Sequence, residues 1–233
     1  MATASSTSWT MTEARAPGRY ARRGATAMLV AALLGVGLAI VAPASAASAA
    51  VTLCNQTLQL GDTGDCVRRL QRRLNELGLN CGNQLTVDGD FGRVTRMRVF
   101  AFQGRNRIEV DGVVGPVTRS ALADPADGLG VSCPAAVADR IRAIWPDHLQ
   151  EKAIRVATCE SGLSPIAVGG PNSNGTLDFG VFQFNNGGTL QAYLPGDNNR
   201  QKVDAALHAD DNIRAALRLH QDRGWDPWAC RNA

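Results

Sequence analysis

The sequence predicts a mainly α-helical protein in which a small three-helix domain precedes a larger α+β domain, and disulfides stabilise the fold. Three observations support this fold class. Apolar residues recur at helical spacing in several stretches after residue 60, as they do in amphipathic helices. Residues 178–185 carry apolar and aromatic side chains at alternate positions, which is typical of a short strand. The six cysteines all follow residue 50, and an even number indicates disulfides in an exported protein.

The first 50 residues have the pattern of an export signal that is removed from the mature protein. Four arginines precede an apolar run of 15 residues at 27–41, and small residues follow it, so that Ala47 and Ala50 are both candidate cleavage points. A membrane anchor is the alternative, but about 20 apolar residues are needed to span a bilayer. We therefore expect a secreted protein without a stable membrane anchor.

The mature chain is formally neutral, because the basic excess belongs to the export signal. Of 24 basic and 21 acidic residues in the whole chain, residues 1–50 contain four arginines and one glutamate, which leaves 20 of each sign. A neutral chain gives no support for a nucleic-acid partner.

The cysteines are more consistent with disulfides than with a metal site. The sequence has no CxxC motif, and its three histidines do not form an HExxH or similar ligand pair. We therefore expect neither a metal nor another cofactor. Six cysteines allow 15 pairings, and the residues alone do not choose among them. The cysteines are Cys54, Cys66, Cys81, Cys133, Cys159 and Cys230.

A segment rich in turn-forming residues separates the two predicted domains. It covers residues 124–134, contains Asp, Pro and Gly at short intervals and lacks apolar periodicity. The first domain is therefore expected at 51–123 and the second at 135–233. Within the second domain, apolar residues at helical spacing between 203 and 220 predict core helices, with a break near Asp210.

The first domain contains an internal repeat. The nine residues from Asp88 return 23 residues later, from Asp111, and six of the nine positions are identical. Each copy predicts a tight turn followed by a helix, because its glycines permit positive φ. Pro116 of the second copy also suits the first turn of a helix.

Amphipathic patterns complete the prediction of three helices in this domain. Over residues 67–77, apolar side chains recur every three or four positions, and Gly78 can end the helix that they predict. In the helix of the second copy, Val117, Ala121 and Leu122 are expected to form the apolar side.

These motifs, in this order, closely resemble the small three-helix peptidoglycan-binding domain of bacterial wall hydrolases. The resemblance covers residues 56–123, and it rests on the leucine- and glycine-containing run at 60–74, the motif at 88–95, the pair Phe102-Gln103 and the second motif at 111–118. It implies a non-catalytic module that docks on peptidoglycan. Most of the motif residues are expected to fix turns and pack helices.

The second domain places a glutamate at an unusual position. A helix from about Leu149 to Ser161 has one apolar face, and Glu160 lies on that face in the last turn, before Gly162. The helix dipole and apolar surroundings both oppose a negative charge there. They favour the protonated form that a general acid requires. The alternative is a solvated glutamate at a frayed helix end.

The segment at 178–185 supplies a second carboxylate and two amides. Asp178, Gln183 and Asn185 lie close together between Asn- and Gly-rich turns, and they are suited to hydrogen-bonding a sugar and its acetamido group. A glutamate and an aspartate on neighbouring segments are the groups that glycoside cleavage uses. One protonates the leaving oxygen, and the other attacks or stabilises the oxocarbenium-like transition state.

Both segments resemble the lysozyme-like superfamily, which includes the lytic transglycosylases and the resuscitation-promoting factors. The sequence ATCESGLSP at 157–165 is similar to the helix end that carries the family's acid. The sequence DFGVFQFN at 178–185 is similar to the DYGxxQxN stretch of animal-type lysozymes and to the GxxQ motif of the transglycosylases. The resemblance covers residues 135–233.

This resemblance implies a role for each candidate site residue. Glu160 is the catalytic acid, and Asp178 matches the second carboxylate of animal-type lysozymes. Gln183 and Asn185 match residues of the substrate cleft. Tyr193 is a further candidate for the cleft. Asp178 has an alternative role as a turn residue without catalytic function.

The ends of the second domain resemble the resuscitation-promoting factors in particular. Cys159 directly precedes Glu160, and the sequence GWDPWAC ends at Cys230. The resemblance implies a disulfide between Cys159 and Cys230. It closes a loop of about 70 residues and stabilises the fold by roughly 4 kcal/mol in the chain-entropy model. The other four cysteines then leave three pairings.

These residues favour a monomeric enzyme that binds peptidoglycan and cuts its glycan strand. A muramidase cleaves the β-1,4 bond between N-acetylmuramic acid and N-acetylglucosamine, and Asp178 favours this reaction. The near alternative is a lytic transglycosylase, many of which use one glutamate and let the substrate's 6-hydroxyl attack to give an anhydro sugar. The Cys-Glu-Ser-Gly motif favours that group.

Three other classes are weaker. A non-catalytic wall-binding or growth-signalling protein has no need of an acid at an unfavourable helix end. A zinc amidase or a cysteine peptidase lacks support, because the sequence offers no histidine-based metal site and no free cysteine with a plausible histidine partner. The preferred peptide stem and the physiological role stay open.

Overall fold

Eight α-helices and three short strands make up the described part of the chain, so the mainly helical fold class is confirmed. The computed structural model describes residues 52–80, 83–126 and 129–233. The predicted export signal at 1–50 lies outside these residues. None of the described helices combines the length and the apolar character that crossing a bilayer requires.

The predicted first domain contains three helices, in agreement with its periodicity. They are α1 (Asp65–Glu76), α2 (Arg93–Arg105) and α3 (Pro116–Ala123). Two isolated antiparallel bridges, Leu58 with Val114 and Thr63 with Asp90, join the start of the domain to the two copies of the repeat. The buried side chains of α1 include Val67, Leu70 and Leu74, as the sequence pattern predicts.

The first copy of the repeat forms a turn that a buried glutamine closes. The Gln71 side-chain amide, from α1, donates to Asp88 Oδ1 at 2.7 Å and to the Asp90 carbonyl at 3.0 Å. Its Oε1 accepts the Gly89 N–H at 2.9 Å. The N–H of Asp90 also donates to Asp88 Oδ1, at 2.9 Å. This bond and then the one from Gln71 hold the pKa of Asp88 below its usual value.

The second copy repeats the same set of bonds one helix later. The Gln103 side-chain amide, from α2, donates to Asp111 Oδ1 at 2.6 Å and to the Val113 carbonyl at 3.0 Å. Its Oε1 accepts the Gly112 N–H at 2.9 Å. Thr118, like its counterpart in the first copy, also contacts the glutamine amide, at 3.1 Å. The repeated residues therefore form a scaffold that fixes two equivalent turns.

The valine of each motif lies outside this scaffold. Val94 is 69% exposed and Val117 is 65% exposed. The prediction that Val117 belongs to the apolar side of α3 is therefore wrong. The buried side of α3 is formed by Thr118 and Leu122 instead, because the turn bond from Gln103 rotates Thr118 towards the interior.

The predicted second domain contains five helices and a small antiparallel sheet. The helices are α4 (Pro134–Ile144), α5 (Asp147–Ser161), α6 (Thr189–Tyr193), α7 (Asn199–Ala206) and α8 (Ala209–Arg223). The strands β1 (Val168–Gly169), β2 (Asp178–Phe179) and β3 (Phe184–Asn185) pair in the order β1-β2-β3. The late helices separate at Leu207–His208, before the predicted break near Asp210. Asp210 and Asp211 lie in the first turn of α8, where the helix dipole favours acidic side chains.

Helix α2 is buried on two sides because it packs against both predicted domains. Seven consecutive residues of α2, from Val99 to Arg105, are buried, whereas a surface helix buries one face. A Cβ added at Gly104 would lie 2.6 Å from Leu207 Cδ1 and 2.8 Å from Val203 Cγ1. Glycine is therefore required for the close approach of α2 to α7. The domain boundaries at 123 and 135 stay a prediction.

An ion-pair cluster accompanies this contact. The Asp204 carboxylate, on α7, lies 2.7 Å from Arg107 Nε and 3.3 Å from Arg105 Nε. The side chains of Asp204 and Arg105 are 6% and 5% exposed, so the charges are buried together. Burial lowers the pKa of Arg105, and the charge of Asp204 opposes that effect. The cluster fixes the register of the two helices.

Two disulfides are present among the described residues. Cys54 pairs with Cys66, with a Cα–Cα distance of 5.6 Å. Cys159 pairs with Cys230, with a Cα–Cα distance of 6.0 Å. In the described part of the chain Cys133 is a free and exposed thiol, and Cys81 lies outside it. The structure thus selects Cys54–Cys66 among the pairings that the sequence left open.

Candidate active site

The end of α5 positions Glu160. Ala153, Val156 and Ala157 are the buried residues of the helix, and Glu160 is half-buried in its last turn. The helix ends at Gly162, which has a φ of 65° and donates its N–H to the Thr158 carbonyl at 2.8 Å. Glycine adopts this left-handed conformation without steric cost. The turn holds Glu160 at the point where the backbone leaves the helix.

The C-terminal segment reaches this glutamate through a disulfide and a hydrogen bond. The Cys230 N–H donates to Glu160 Oε1 at 2.9 Å, and Cys230 is covalently joined to Cys159, the neighbour of Glu160. The two links act at adjacent residues, so they restrict the carboxylate more than either would alone. The bond occupies one of the two carboxylate oxygens.

Asp178 lies in the sheet and is held by two amides. The Asn172 side chain donates to Asp178 Oδ2 at 2.9 Å, and the Asn185 side chain donates to Asp178 Oδ1 at 2.8 Å. The Asn185 amide also contacts Thr176 Oγ1 at 2.9 Å. Asp178 and Asn185 are therefore in direct contact, and they are cross-strand partners of β2 and β3. In this structure Asn185 orients the aspartate; its contact with substrate stays a prediction.

Gln183 occupies a strained turn between β2 and β3. Its φ is 48°, a value that residues other than glycine seldom adopt and that is often found at functional sites. Its side-chain amide donates to the Gly180 carbonyl at 2.8 Å. A Cβ at Gly169 of β1 would lie 2.5 Å from Gln183 Oε1, so a larger residue there would require the Gln183 side chain to move. The side chain thus folds back against its own sheet.

Three side chains outside the predicted site hold the turn that carries Gln183. Ser161 Oγ donates to the Val181 carbonyl at 2.7 Å, and Trp228 Nε1 donates to the Phe182 carbonyl at 3.0 Å. Asn212, which is 0% exposed, accepts the Phe182 N–H at 2.9 Å. These bonds join the end of α5, the turn, α8 and the C-terminal segment, which brings the segments of Glu160 and Asp178 together.

Two of these residues carried a signal in the sequence. Ser161 belongs to the Cys-Glu-Ser-Gly motif, and its role is to bind the turn after β2. Asn212 is a polar residue on the buried face of an apolar helix, which is a signal that a buried polar partner is needed. It donates to the carbonyls of Phe179 at 3.1 Å and Ala206 at 2.8 Å. Because Phe179 and Phe182 are 30 or more positions away in sequence, the periodicity could not identify them as partners.

An aromatic cluster packs against the C-terminal segment. The ring of Trp145 stacks on Phe182 with centroids 5.6 Å apart and on Trp225 with centroids 5.4 Å apart. The ring of Trp228 meets Phe182 edge-on at 5.8 Å. His220 lies 4.3 Å from Trp225, and burial lowers the pKa of His220. These rings pack the C-terminal segment against the rest of the second domain.

Tyr193 is joined to a different element from the two carboxylates. Its hydroxyl donates to Asp222 Oδ2 at 2.9 Å, and its carbonyl accepts from Arg218 Nη2 at 2.6 Å. The bond to Asp222 raises the pKa of Tyr193. Both partners belong to α8. A role of Tyr193 in the cleft stays a prediction.

A surface cavity opens beside the end of α5. It has a volume of 240 Å³, and its lining includes Ser161, Gly162 and Ser164 of the second domain with Asn83 and Pro134 opposite. In the described ranges, no group of three or more histidine, cysteine, aspartate or glutamate side chains is arranged to hold a metal ion. The chemistry that these residues offer is that of carboxylates and amides.

Comparison with known families identifies part of the chain. Residues 63–122 match the family model described as a "peptidoglycan binding domain". The prediction of such a domain is confirmed over these residues. The match includes both copies of the repeat and the helices that carry Gln71 and Gln103.

Individual relatives share smaller or more distant regions. The zinc D-Ala-D-Ala carboxypeptidase of Streptomyces albus G is 36% identical over an alignment of 105 residues, and the match covers 39% of this chain and 41% of the relative. The chain thus spans about two fifths of the length of that curated relative. The N-terminal domain of SleB is 37% identical and covers 30% of this chain and 93% of its own, with a TM-score of 0.28. The endolysin of Burkholderia phage AP3 is 21% identical and covers 72% and 83%, with a TM-score of 0.27.

Proposed function

We propose that the protein is a secreted, wall-associated enzyme that cuts the glycan strand of peptidoglycan, with Glu160 as the catalytic acid. The observation that carries the proposal is the bond from the Cys230 N–H to Glu160 Oε1 at 2.9 Å, beside the disulfide at the preceding residue. Fixing one carboxylate at a helix end by two adjacent links is typical of a residue that must meet a substrate in one orientation. The peptidoglycan-binding domain brings that substrate to it.

The reaction that fits these groups best is that of a muramidase. Glu160 donates its proton to the glycosidic oxygen as the bond from that oxygen to the anomeric carbon of N-acetylmuramic acid breaks. Asp178, oriented by Asn172 and Asn185, attacks that carbon or stabilises its positive charge. Water then completes the hydrolysis and leaves a reducing end. Asn185 contacts this carboxylate, and Asn185 and Gln183 would turn their amides to the sugar substituents when substrate binds.

A lytic transglycosylase is the second candidate, and one observation favours it. Both carboxylate oxygens of Asp178 accept bonds from amides of neighbouring residues, at 2.9 and 2.8 Å, which also suits a residue that only holds the sheet together. In that reaction Glu160 acts alone, and the 6-hydroxyl of the substrate attacks to give an anhydro sugar.

Secretion is supported by the two disulfides. Disulfides form and persist in oxidising surroundings outside the cytosol, and the pattern of residues 1–50 predicts export. A non-catalytic wall-binding protein would need the disulfides but would not need the oriented glutamate. The oriented Glu160 therefore favours an enzyme over a binding protein.

The test is mass spectrometry of the soluble products that residues 51–233, with disulfides intact, release from insoluble peptidoglycan. Reducing-end muramic acid would identify a hydrolase, and anhydro ends, one water lighter, would identify a transglycosylase. The Glu160→Gln variant is the control, and we expect it to bind the wall without releasing product. Tight binding without soluble product from the unaltered protein would contradict the enzyme and leave a wall-binding protein.

A further inference from the structure

We propose that a second cavity, between the second copy of the repeat and α7, binds the peptide stem of peptidoglycan, with Arg200 holding a stem carboxylate. The proposal rests on the proposed function only in its choice of polymer. The cavity has a volume of 370 Å³, within the range of small-ligand sites. Its walls include Ile108, Val113, Pro116 and Val117 from the first domain, and Arg200 reaches it from α7.

Val117 is one of the apolar residues that line this cavity. Its neighbour Thr118 is buried and bonded to Gln103 at 3.1 Å, whereas Val117 is 65% exposed. A single exposed apolar side chain is common on protein surfaces, but Val117 lies with Ile108, Val113 and Pro116 on one cavity wall, and such a grouped apolar surface favours binding. Val117 is thus the residue of the motif that the scaffold leaves available to a ligand. Small apolar side chains, such as the alanines of a peptide stem, match this wall.

The rim of the cavity carries charges of both signs. Arg200 Nη2 lies 3.4 Å from Glu109 Oε2, and the two side chains are 57% and 76% exposed. An exposed pair of this kind contributes little to stability, so a ligand carboxylate can replace Glu109 at low cost. The guanidinium binds carboxylates with two parallel hydrogen bonds. Asp111, by contrast, is already bonded to Gln103 and to the Val113 N–H.

A peptide stem has the chemistry that such a site would recognise. It combines small apolar side chains with carboxylates and an amine along a short flexible chain. Arg200 meets a carboxylate, Glu109 meets the amine, and the apolar walls meet the alanine side chains. A peptide-free glycan offers none of these groups apart from the lactyl carboxylate.

The first copy of the repeat provides a matched control within the same molecule. Val94 occupies the position of Val117 and is 69% exposed. It also lines a cavity, of 220 Å³, whose opposite wall includes Ile166 and Val168 of the second domain. Among the described residues that line it there is no carboxylate. Its charged lining residue, Arg98, already donates to the Asn83 carbonyl at 3.1 Å. The smaller volume and the missing carboxylate partner for the stem amine assign the stem to the cavity of the second copy.

The experiment measures binding of two soluble probes to the full mature chain by calorimetry. The first probe is a disaccharide with its peptide stem, and the second is the same disaccharide without the peptide. Arg200→Ala should weaken binding of the first probe about tenfold, because a charge-assisted bond is lost, and Val117→Ser about fivefold through lost apolar contact. Val94→Ser and Arg72→Ala, which alter an equivalent valine and an exposed arginine of α1, should bind as the unaltered protein does.

Three results would overturn the proposal. They are unchanged affinity for the stem-bearing probe in both cavity variants, equal weakening for the peptide-free probe, and no binding of the stem-bearing probe by the unaltered protein. Thermal unfolding of each variant separates lost binding from lost folding. Binding that depends on Arg200 without glycan cleavage would support the stem site and remove the proposed function. Glycan cleavage by the unaltered protein, together with unchanged affinity of the variants for the stem-bearing probe, would support the proposed function and remove the stem site.

Discussion

In the repeat, each glutamine uses both ends of its amide inside a turn, and the side chain is buried; Gln71 is 1% exposed. At the candidate active site, Glu160 is half-buried and receives one N–H on one of its oxygens, at 2.9 Å. Both residues belong to recognisable sequence motifs. The difference teaches that a motif does not by itself separate scaffold from site. What separates them is the exposure of the side chain and the number of its hydrogen-bonding atoms that are still free to bind a ligand.

The largest expected effect is on chemistry at Glu160. Glu160→Gln removes the acidic proton while keeping the shape and an acceptor for the Cys230 N–H. We expect turnover of peptidoglycan to fall by about 10²–10⁴-fold with unchanged thermal unfolding. Glu151→Gln is the control on the same helix, since Glu151 forms an exposed pair with Arg142 at 3.2 Å. If Glu160→Gln released as much soluble product as the unaltered protein, Glu160 would have a structural role and not a catalytic one.

The two disulfides offer the next comparison. Removing Cys159–Cys230 with two serine substitutions should lower the free energy of unfolding by about 4 kcal/mol, because the bond spans 71 positions. It should also lower glycan cleavage, since Cys230 no longer holds Glu160. Removing Cys54–Cys66, which spans 12 positions, should cost about 3 kcal/mol and leave cleavage intact. Denaturant unfolding and product release measure the two effects. If both variants lost cleavage equally, the disulfide Cys159–Cys230 would have a purely structural role.

Gln71 tests the scaffold half of the comparison. Gln71→Ala leaves the Gly89 N–H and the Asp88 carboxylate without their buried partner, so we expect the free energy of unfolding to fall by about 2–3 kcal/mol. Because Gln71 lies in the first copy, the glycan product formed per folded molecule should not change. Denaturant unfolding checks the first expectation, and mass spectrometry of the products checks the second. A change in the product type would assign Gln71 to the chemistry.

The smallest expected effect is a pH dependence confined to the second domain, where all three histidines lie. Burial lowers the pKa of His220, so the unfolded chain takes up a proton, below about pH 6.5, that the folded protein resists. Stability is therefore full above that pH and falls as the pH drops through it. His220→Gln should lose less stability than the unaltered protein between about pH 7.5 and about pH 5.5. Identical losses in urea unfolding would contradict this.

The local features of the fold were accessible from the sequence, and the long-range ones were not. The end of α5 followed from a glycine after a periodic run, and the repeated turns followed from their own residues. The role of Asn212 depends on a strand and a turn that lie 30 to 33 positions away, and the second buried side of α2 depends on a helix that is also far away in sequence. The exposure of Val117 was also missed, because a valine at helical spacing predicts burial unless the neighbouring turn is known. At the candidate site, the sequence predicted the residue types. Only the contacts in the structure show which of these side chains bind one another and so are not free for a substrate.

The two-sided burial of α2 has a mechanical consequence. With Gly104 packed against α7 and Arg105 paired with Asp204, the peptidoglycan-binding domain is packed directly against the domain that carries the proposed catalytic residues. In an enzyme whose domains are joined by a hinge, the distance between the binding site and the catalytic site varies. Here the packing of α2 against α7 keeps that distance constant. Each docking event on the wall would then present glycan bonds at a set distance, and reaching the next bond would require the peptidoglycan-binding domain to let go.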